Sequence, residues 1–268
     1  MKEKLEGRQS ILAALKAHRR KIELIMVSWG AHRDKTADVL ALAAQQNIPV
    51  KQVSPEELDA AAKGRTHGGL IAVCSPMPLT SAEELMDNIK RASVNPLMLL
   101  LEGVEDEQNL GFIIRTAYAF GLNAILLKKH IWNFDALTLS RTSYGAYERL
   151  PLVKIEKESE TLGRLSRAGM RMYGAIAGAK RTLYDMDFTV PCVIALGGEK
   201  RGLSAAVREQ CNGFFRIPMP SCAKVSDGKP SCYSDEWPSL SLSHSAAIIM
   251  AEAMRQRLSA PEGQAGMQ

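Results

Sequence analysis

"NLGFIIRTAYAFG" (109–121) sets Leu110, Ile113, Ile114, Ala117 and Phe120 close to the spacing that lines one face of a helix. On either side stand short runs that are apolar at almost every position, "LMLLLEG" (97–103) and "NAILLKK" (123–129). Such runs suit strands of a mainly parallel sheet covered by helices on both faces. Strand, helix, strand is the repeating step of an α/β fold. Arg115 is the odd residue in this step. It stands among Ile113, Ile114 and Ala117, and a guanidinium taken out of water is costly unless a carboxylate or phosphate meets it.

The alternation continues downstream through "LPLVKI" (150–155), "MYGAIA" (172–177), "CVIALGG" (192–198) and "FFRIP" (214–218). "SLSHSAAIIMAEAMRQRL" (241–258) predicts a closing helix. Upstream, helical periodicity in "GRQSILAALKA" (7–17) and "KTADVLALAAQQ" (35–46) alternates with "IELIMV" (22–27), "IPVKQV" (48–53) and "GGLIAV" (68–73). Residues 1–74 therefore predict a small α/β domain. Residues 75–96 begin Pro-rich and end at Pro96, which reads as a linker with a short helix. The larger domain then spans 97–260, and 261–268 read as a disordered tail. No internal repeat is visible.

With 268 residues, 46% hydrophobic and 24% charged, the chain has ample material for a core. It holds no apolar run of the roughly 18 residues a membrane span needs, and its start has no apolar signal region. The expectation is a cytoplasmic protein with no membrane partner. Five scattered cysteines without a C-x-x-C pair suit a reducing compartment. A net charge of +5 suits an RNA partner, although many proteins without one are as basic.

The loop "LGGEKRG" follows a strand candidate, where α/β proteins bind ligands. Gly197, Gly202 and Ser204 nearly match a phosphate loop, but Leu203 stands where the lysine would be, and Glu199 repels a polyphosphate. The loop suits a ligand held by backbone groups; a tight turn without a ligand is the competing reading. "RIPMP" and "SLSLSHSAA" are individually weak, and the serines before the last helix also suit helix caps. Between them lies a Ser-, Gly-, Pro- and Asp-rich loop holding Cys222 and Cys232, and no second pair completes a metal site. His67 reads as structural or functional. Arg8, Lys63 and Arg65 either touch phosphates or solvate the surface. For Arg115 the choices are an ion pair to Glu102 or Glu199, or a substrate clamp. Asn109 as a helix cap and Gly111 as a point of close backbone approach support the clamp.

Taken together these pieces resemble the SpoU/TrmH family of RNA ribose 2′-O-methyltransferases, in the SPOUT class. Asn109, Gly111, Arg115, Thr116, Ala117, Phe120 and Gly121 match the first family segment. Gly197, Glu199 and Gly202 match the second, and "IPM" (217–219) with Ser239, Leu240 and Ser243 match the third. "SYGAYERLP" (143–151) and "EAMRQR" (252–257) also look like the family, and residues 7–73 resemble its amino-terminal RNA-binding domain. The resemblance implies S-adenosylmethionine as methyl donor, a trefoil knot at the carboxyl end, a homodimer, and an RNA substrate, rRNA or tRNA. It implies a catalytic role for Arg115, with Asn109, Glu199 and Ser243 in the site. The donor would be held by Gly197, Gly198, Ile217, Pro218, Met219 and Leu240. Arg8, Arg65 and His67 are the expected RNA contacts, and no metal is expected. Two features depart from the family: Ser241 stands in place of an asparagine, and the 220–238 loop is long. They keep open a binding-only homologue beside the rRNA and tRNA enzymes.

Overall fold

The computed structural model describes residues 2–64, 67–92, 94–128, 134–198, 201–219 and 240–260. The chain opens with β1 (Glu3–Glu6), α1 (Arg8–Ala17), β2 (Ile22–Ser28), α2 (Arg33–Gln45), β3 (Val50–Val53), α3 (Pro55–Ala61) and β4 (Leu70–Cys74). The four strands form one sheet in the order β1-β4-β2-β3, with β4 antiparallel to β1 and β2. β1 is the strand that the sequence patterns above do not announce, because "EKLE" alternates weakly.

The second sheet is built from β5 (Leu97–Leu101), β6 (Ala124–Lys128), β7 (Leu152–Ile155), β8 (Arg171–Ala175), β9 (Arg181–Thr182), β10 (Cys192–Leu196) and β11 (Gly213–Arg216). Its order is β7-β6-β5-β10-β8-β11-β9, and every pairing is parallel. The helices are α4 (Ala82–Arg91), α5 (Glu107–Ala119), α6 (Ala136–Thr142), α7 (Glu158–Arg167), α8 (Ala205–Gln210) and α9 (Leu242–Ser259). Alternate strand residues serve opposite faces. Leu99, Leu101, Ile125, Leu127, Ile194 and Leu196 meet α5 and α9 on one side. Met98, Leu100, Leu126, Val193 and Ala195 meet Leu85 of α4, Leu162 of α7 and Val207 of α8 on the other. That two-sided cover is why these strands are apolar throughout.

Two expectations about α5 change. Asn109 is not its cap: Asp106 is, with its carboxylate accepting from Gln108 N and Asn109 N at 3.1 Å each. The close approach that Gly111 allows is to another helix. It lies where α5 crosses α6, and a Cβ there would overlap the Thr142 hydroxyl. Gly111→Ala should therefore lower stability by about 1–3 kcal/mol through overpacking, against a helix-propensity gain of about 1 kcal/mol. A melting temperature above wild type would show that α6 yields instead.

Residues 75–96 are packed, not a free tether. Thr80 N donates to Leu152 O at 2.9 Å, and Leu85 enters the core of the second sheet. The two sheets are also locked together by charge. Arg20, after α1, makes a two-pronged contact with Glu148 of the 3₁₀ turn Ala146–Glu148, and it meets Glu3 at 2.6 Å. The Arg20 and Glu148 side chains are 0% and 1% exposed. Burial pushes the Glu148 carboxyl up from its ordinary value, and Arg20 opposes that shift. Glu6 of β1 pairs with Arg141 of α6 in the same seam.

Candidate functional site

Because the second sheet is parallel, the loops after β5, β8, β10 and β11 all leave its carboxyl edge, where α/β folds bind ligands. β10 is inserted between β5 and β8, so the loops after β5 and β10 meet. A Cβ on Gly198 would stand 3.0 Å from the Gly103 Cα and its carbonyl oxygen. Gly202 N donates to Gly198 O at 2.8 Å, and a Cβ on Gly197 would overlap Gly202. The glycines thus satisfy the close packing of two loops. Past β11, Ile217 and Pro218 are half-buried, while Met219 and Leu240 are 40% and 37% exposed.

The start of α9 completes the edge. Ser243 Oγ donates to Asn109 Oδ1 at 2.9 Å, which joins the first turns of α5 and α9. Ser241 caps α9, accepting from His244 N at 3.3 Å. Its hydroxyl lies 3.0 Å from Ser243 Oγ and 2.7 Å from His244 Nδ1. Asn109, Ser243, Ser241 and the exposed His244 thus form one hydrogen-bonded row. The "SLSHS" spacing contained the His244 contact, since residues three apart meet on a helix.

Arg115 is exposed, contrary to the expectation that the apolar face encloses it. One residue turns the helix by about 100°, so Arg115 leaves the face of Ile114 and joins exposed Phe112, Tyr118 and Ala119. Among the described residues it makes no ion pair. Its guanidinium carbon lies 4.9 Å from the ring centre of Tyr144. Glu102, one suggested partner, is taken: it accepts from Ser204 N and Oγ at 2.8 Å each and pairs with Lys128. Glu158 meets Lys128 at 2.7 Å, and these two carboxylates hold the ammonium above its ordinary value although burial pulls the other way.

The expected RNA contacts of the first unit are engaged within the protein. Arg8 Nε donates to Asp38 Oδ1 at 3.1 Å, and Lys63 Nζ to Asp135 Oδ1 at 3.2 Å. His67 Nε2 stands 2.7 Å from Asp59, with Nδ1 accepting from Gly69 N at 3.2 Å. Arg65, Glu199, Cys222, Cys232, Ser239, the 220–238 loop and the 261–268 tail lie outside the described residues. Burial pushes the thiols of Cys74, Cys192 and Cys211 up to about 11, so they are protonated at neutral pH. Among the described residues, no three His, Cys, Asp or Glu side chains gather as a metal site would need, and no helix is long and apolar enough to cross a membrane.

A seven-stranded parallel α/β sheet with a glycine-lined carboxyl edge stands beside a four-stranded α/β sheet. The chain belongs to the SpoU rRNA methylase family. The profile of that family matches residues 96–225, and a profile for the substrate-binding part of RNA 2′-O ribose methyltransferases matches residues 4–79. The 23S rRNA (guanosine-2′-O-)-methyltransferase RlmB of Pseudomonas putida is 31% identical over 95% of this chain and 97% of its own. The crystal structure of an RNA 2′-O ribose methyltransferase superposes with a TM-score of 0.74 at 28% identity, over 96% of this chain and 89% of that one. AviRb from Streptomyces viridochromogenes, in complex with AdoMet, shares the fold with a TM-score of 0.74 at 23% identity, over 97% and 91% of the two chains.

Proposed function

We propose that the chain transfers a methyl group from S-adenosylmethionine to the ribose 2′-hydroxyl of a guanosine in 23S rRNA. The observation that carries this reading is the Ser243–Asn109 hydrogen bond beside the touching Gly103 and Gly198 loops, in a chain that matches a 23S rRNA 2′-O-methyltransferase over nearly its whole length. The uncovered Met219 and Leu240, with the main chain of 197–198 and 217–218, fit a donor that has a flat ring and polar ends. When bound, that donor supplies a methyl group already activated on a sulfonium.

The protein's task is then to place the hydroxyl and manage its proton. A guanidinium offers only donors, so Arg115 is no base. Its free fork binds the phosphate beside the target ribose and polarises the hydroxyl. Ser243, with its proton directed at Asn109 Oδ1, has lone pairs to accept from the ribose O–H. For that proton to leave, the Ser243 hydroxyl turns from Asn109 to Ser241 Oγ, 3.0 Å away, as it accepts from the ribose, and Ser241 passes its own proton to His244 Nδ1 at 2.7 Å. The family resemblance assigns the donor side to Glu199, the residue after Gly198 in sequence.

This reading makes residues 1–74 the RNA-binding unit and 97–260 the transfer unit, joined by 75–96. Its other parts are a trefoil knot at the carboxyl end, a cytoplasmic location and a homodimer. Exposed Ile248 and Leu258 on α9 support a contact between copies.

The test incubates the purified protein with methyl-labelled S-adenosylmethionine and 23S rRNA, then maps ribose methylation by mass spectrometry. A 2′-O-methylguanosine is expected. Methylation of tRNA alone replaces the substrate; absence of donor binding by calorimetry replaces the enzyme with a binding protein.

A further inference from the structure

Between α1 and α5 runs a cleft of about 310 Å³, bounded by Gln9, Lys16, Arg115, Tyr118, Tyr144 and Arg149 together with small and apolar residues. No carboxylate among the described residues lines it. Among the described residues, Lys16, Arg115 and Arg149 make no ion pair. This sets them apart from Arg8, Arg20, Lys51, Lys63 and Arg141, each of which meets an acid. The two arginines are held by rings instead. Arg115 lies over Tyr144 at 4.9 Å, and Arg149 lies 5.7 Å from the Tyr118 ring centre while donating to its hydroxyl at 3.0 Å.

Tyr144 is the informative residue. It is 56% exposed, so its ring buries little, yet its φ is 55°. A bulky residue in left-handed backbone is strained. The following Gly145, with φ 83°, is accounted for by packing, because a Cβ there would come 2.7 Å from that of Ala13. No comparable packing accounts for an aromatic ring at 144. What the turn achieves is to place a ring, 56% exposed, at the wall of a cationic cleft and over the Arg115 guanidinium.

We propose that this cleft holds a single-stranded stretch of the RNA substrate, with phosphates on Lys16 and Arg149 and a base stacked on Tyr144. Cations set among aromatic platforms, without acids, are the features that bind unpaired nucleic acid. A duplex keeps its bases stacked on one another and cannot use the ring. The cleft lies between α1 of the first sheet's unit and α5 of the second's, so a strand bound there would touch both. The inference rests on the RNA-methyltransferase reading.

The test uses fluorescein-labelled decauridylate, followed by anisotropy across a salt series. The proteins are wild type, Tyr144→Asn and the double variant Lys16→Gln/Arg149→Gln, with melting temperature and S-adenosylmethionine affinity measured on each. Asparagine tolerates left-handed backbone, so Tyr144→Asn should melt no lower than wild type while binding the single strand about tenfold more weakly. The double variant should flatten the log–log salt slope by about 0.7 per cation removed. Donor affinity should be unchanged in both. Unchanged oligonucleotide affinity and slope overturn the proposal, as does wild type binding the strand no better than its duplex with decaadenylate. So does an altered oligomeric state with RNA binding intact, which would make the cleft a contact between copies. A wild-type protein that binds no donor refutes methyl transfer, while the oligonucleotide measurements still judge the cleft.

Discussion

Arg115→Ala is expected to lower single-turnover methyl transfer by about a hundredfold or more, the loss seen when one positioned charge-stabilising contact is removed. Stability should hardly change. Arg115 is exposed and makes no ion pair among the described residues, so its removal strands no buried charge. The stack on Tyr144 is an exposed cation–π contact worth about 0.5–1 kcal/mol. Donor affinity should stay near wild type, because the proposed donor contacts lie on the loops after β10 and β11. Arg115→Lys should restore little, since a point charge does not reproduce the planar two-pronged fork. A strongly destabilised Arg115→Ala protein with normal transfer would end the substrate-clamp reading.

Glu148→Ala is expected to give the largest loss of stability of any single change at the seam between the two sheets. It leaves the Arg20 guanidinium buried with only Glu3 as a charged partner among the described residues. Breaking a buried pair from one side typically costs about 3–5 kcal/mol. Replacing both partners by apolar residues, Arg20→Met with Glu148→Leu, should recover much of that loss, since the desolvation of both charges is then avoided. Chemical and thermal unfolding of the two singles and the double gives the coupling energy. A Glu148→Ala protein within about 1 kcal/mol of wild type would mean that water or Glu3 satisfies Arg20. The same seam makes deletion of residues 1–74 a poor probe of RNA binding, because it removes Arg20 and Glu6 and leaves Glu148 and Arg141 unpaired.

Sequence periodicity alone was enough for the strands at 97–101, 124–128 and 192–196 and for the helix at 107–119. Their information is local: a strand apolar on both faces must be covered on both, and Leu110, Ile113, Ile114 and Ala117 must share a side. The site residues drawn from three separate segments were legible only through the family resemblance, since nothing in the spacing of Asn109 and Ser243 says that they touch. Tertiary structure decided the rest. It set β10 between β5 and β8, which brings Gly198 against Gly103, because strand order depends on contacts far apart in sequence. It turned Arg115 outward, because neighbours in sequence are not neighbours on a helix face. It gave Gly111 to Thr142 and the α5 cap to Asp106, where composition alone permits either reading. And it paired Arg8, Lys63 and His67 with acids while leaving Lys16, Arg115 and Arg149 unpaired in one cleft. A cation's partner is fixed by where distant carboxylates arrive, and a one-dimensional pattern does not carry that distance.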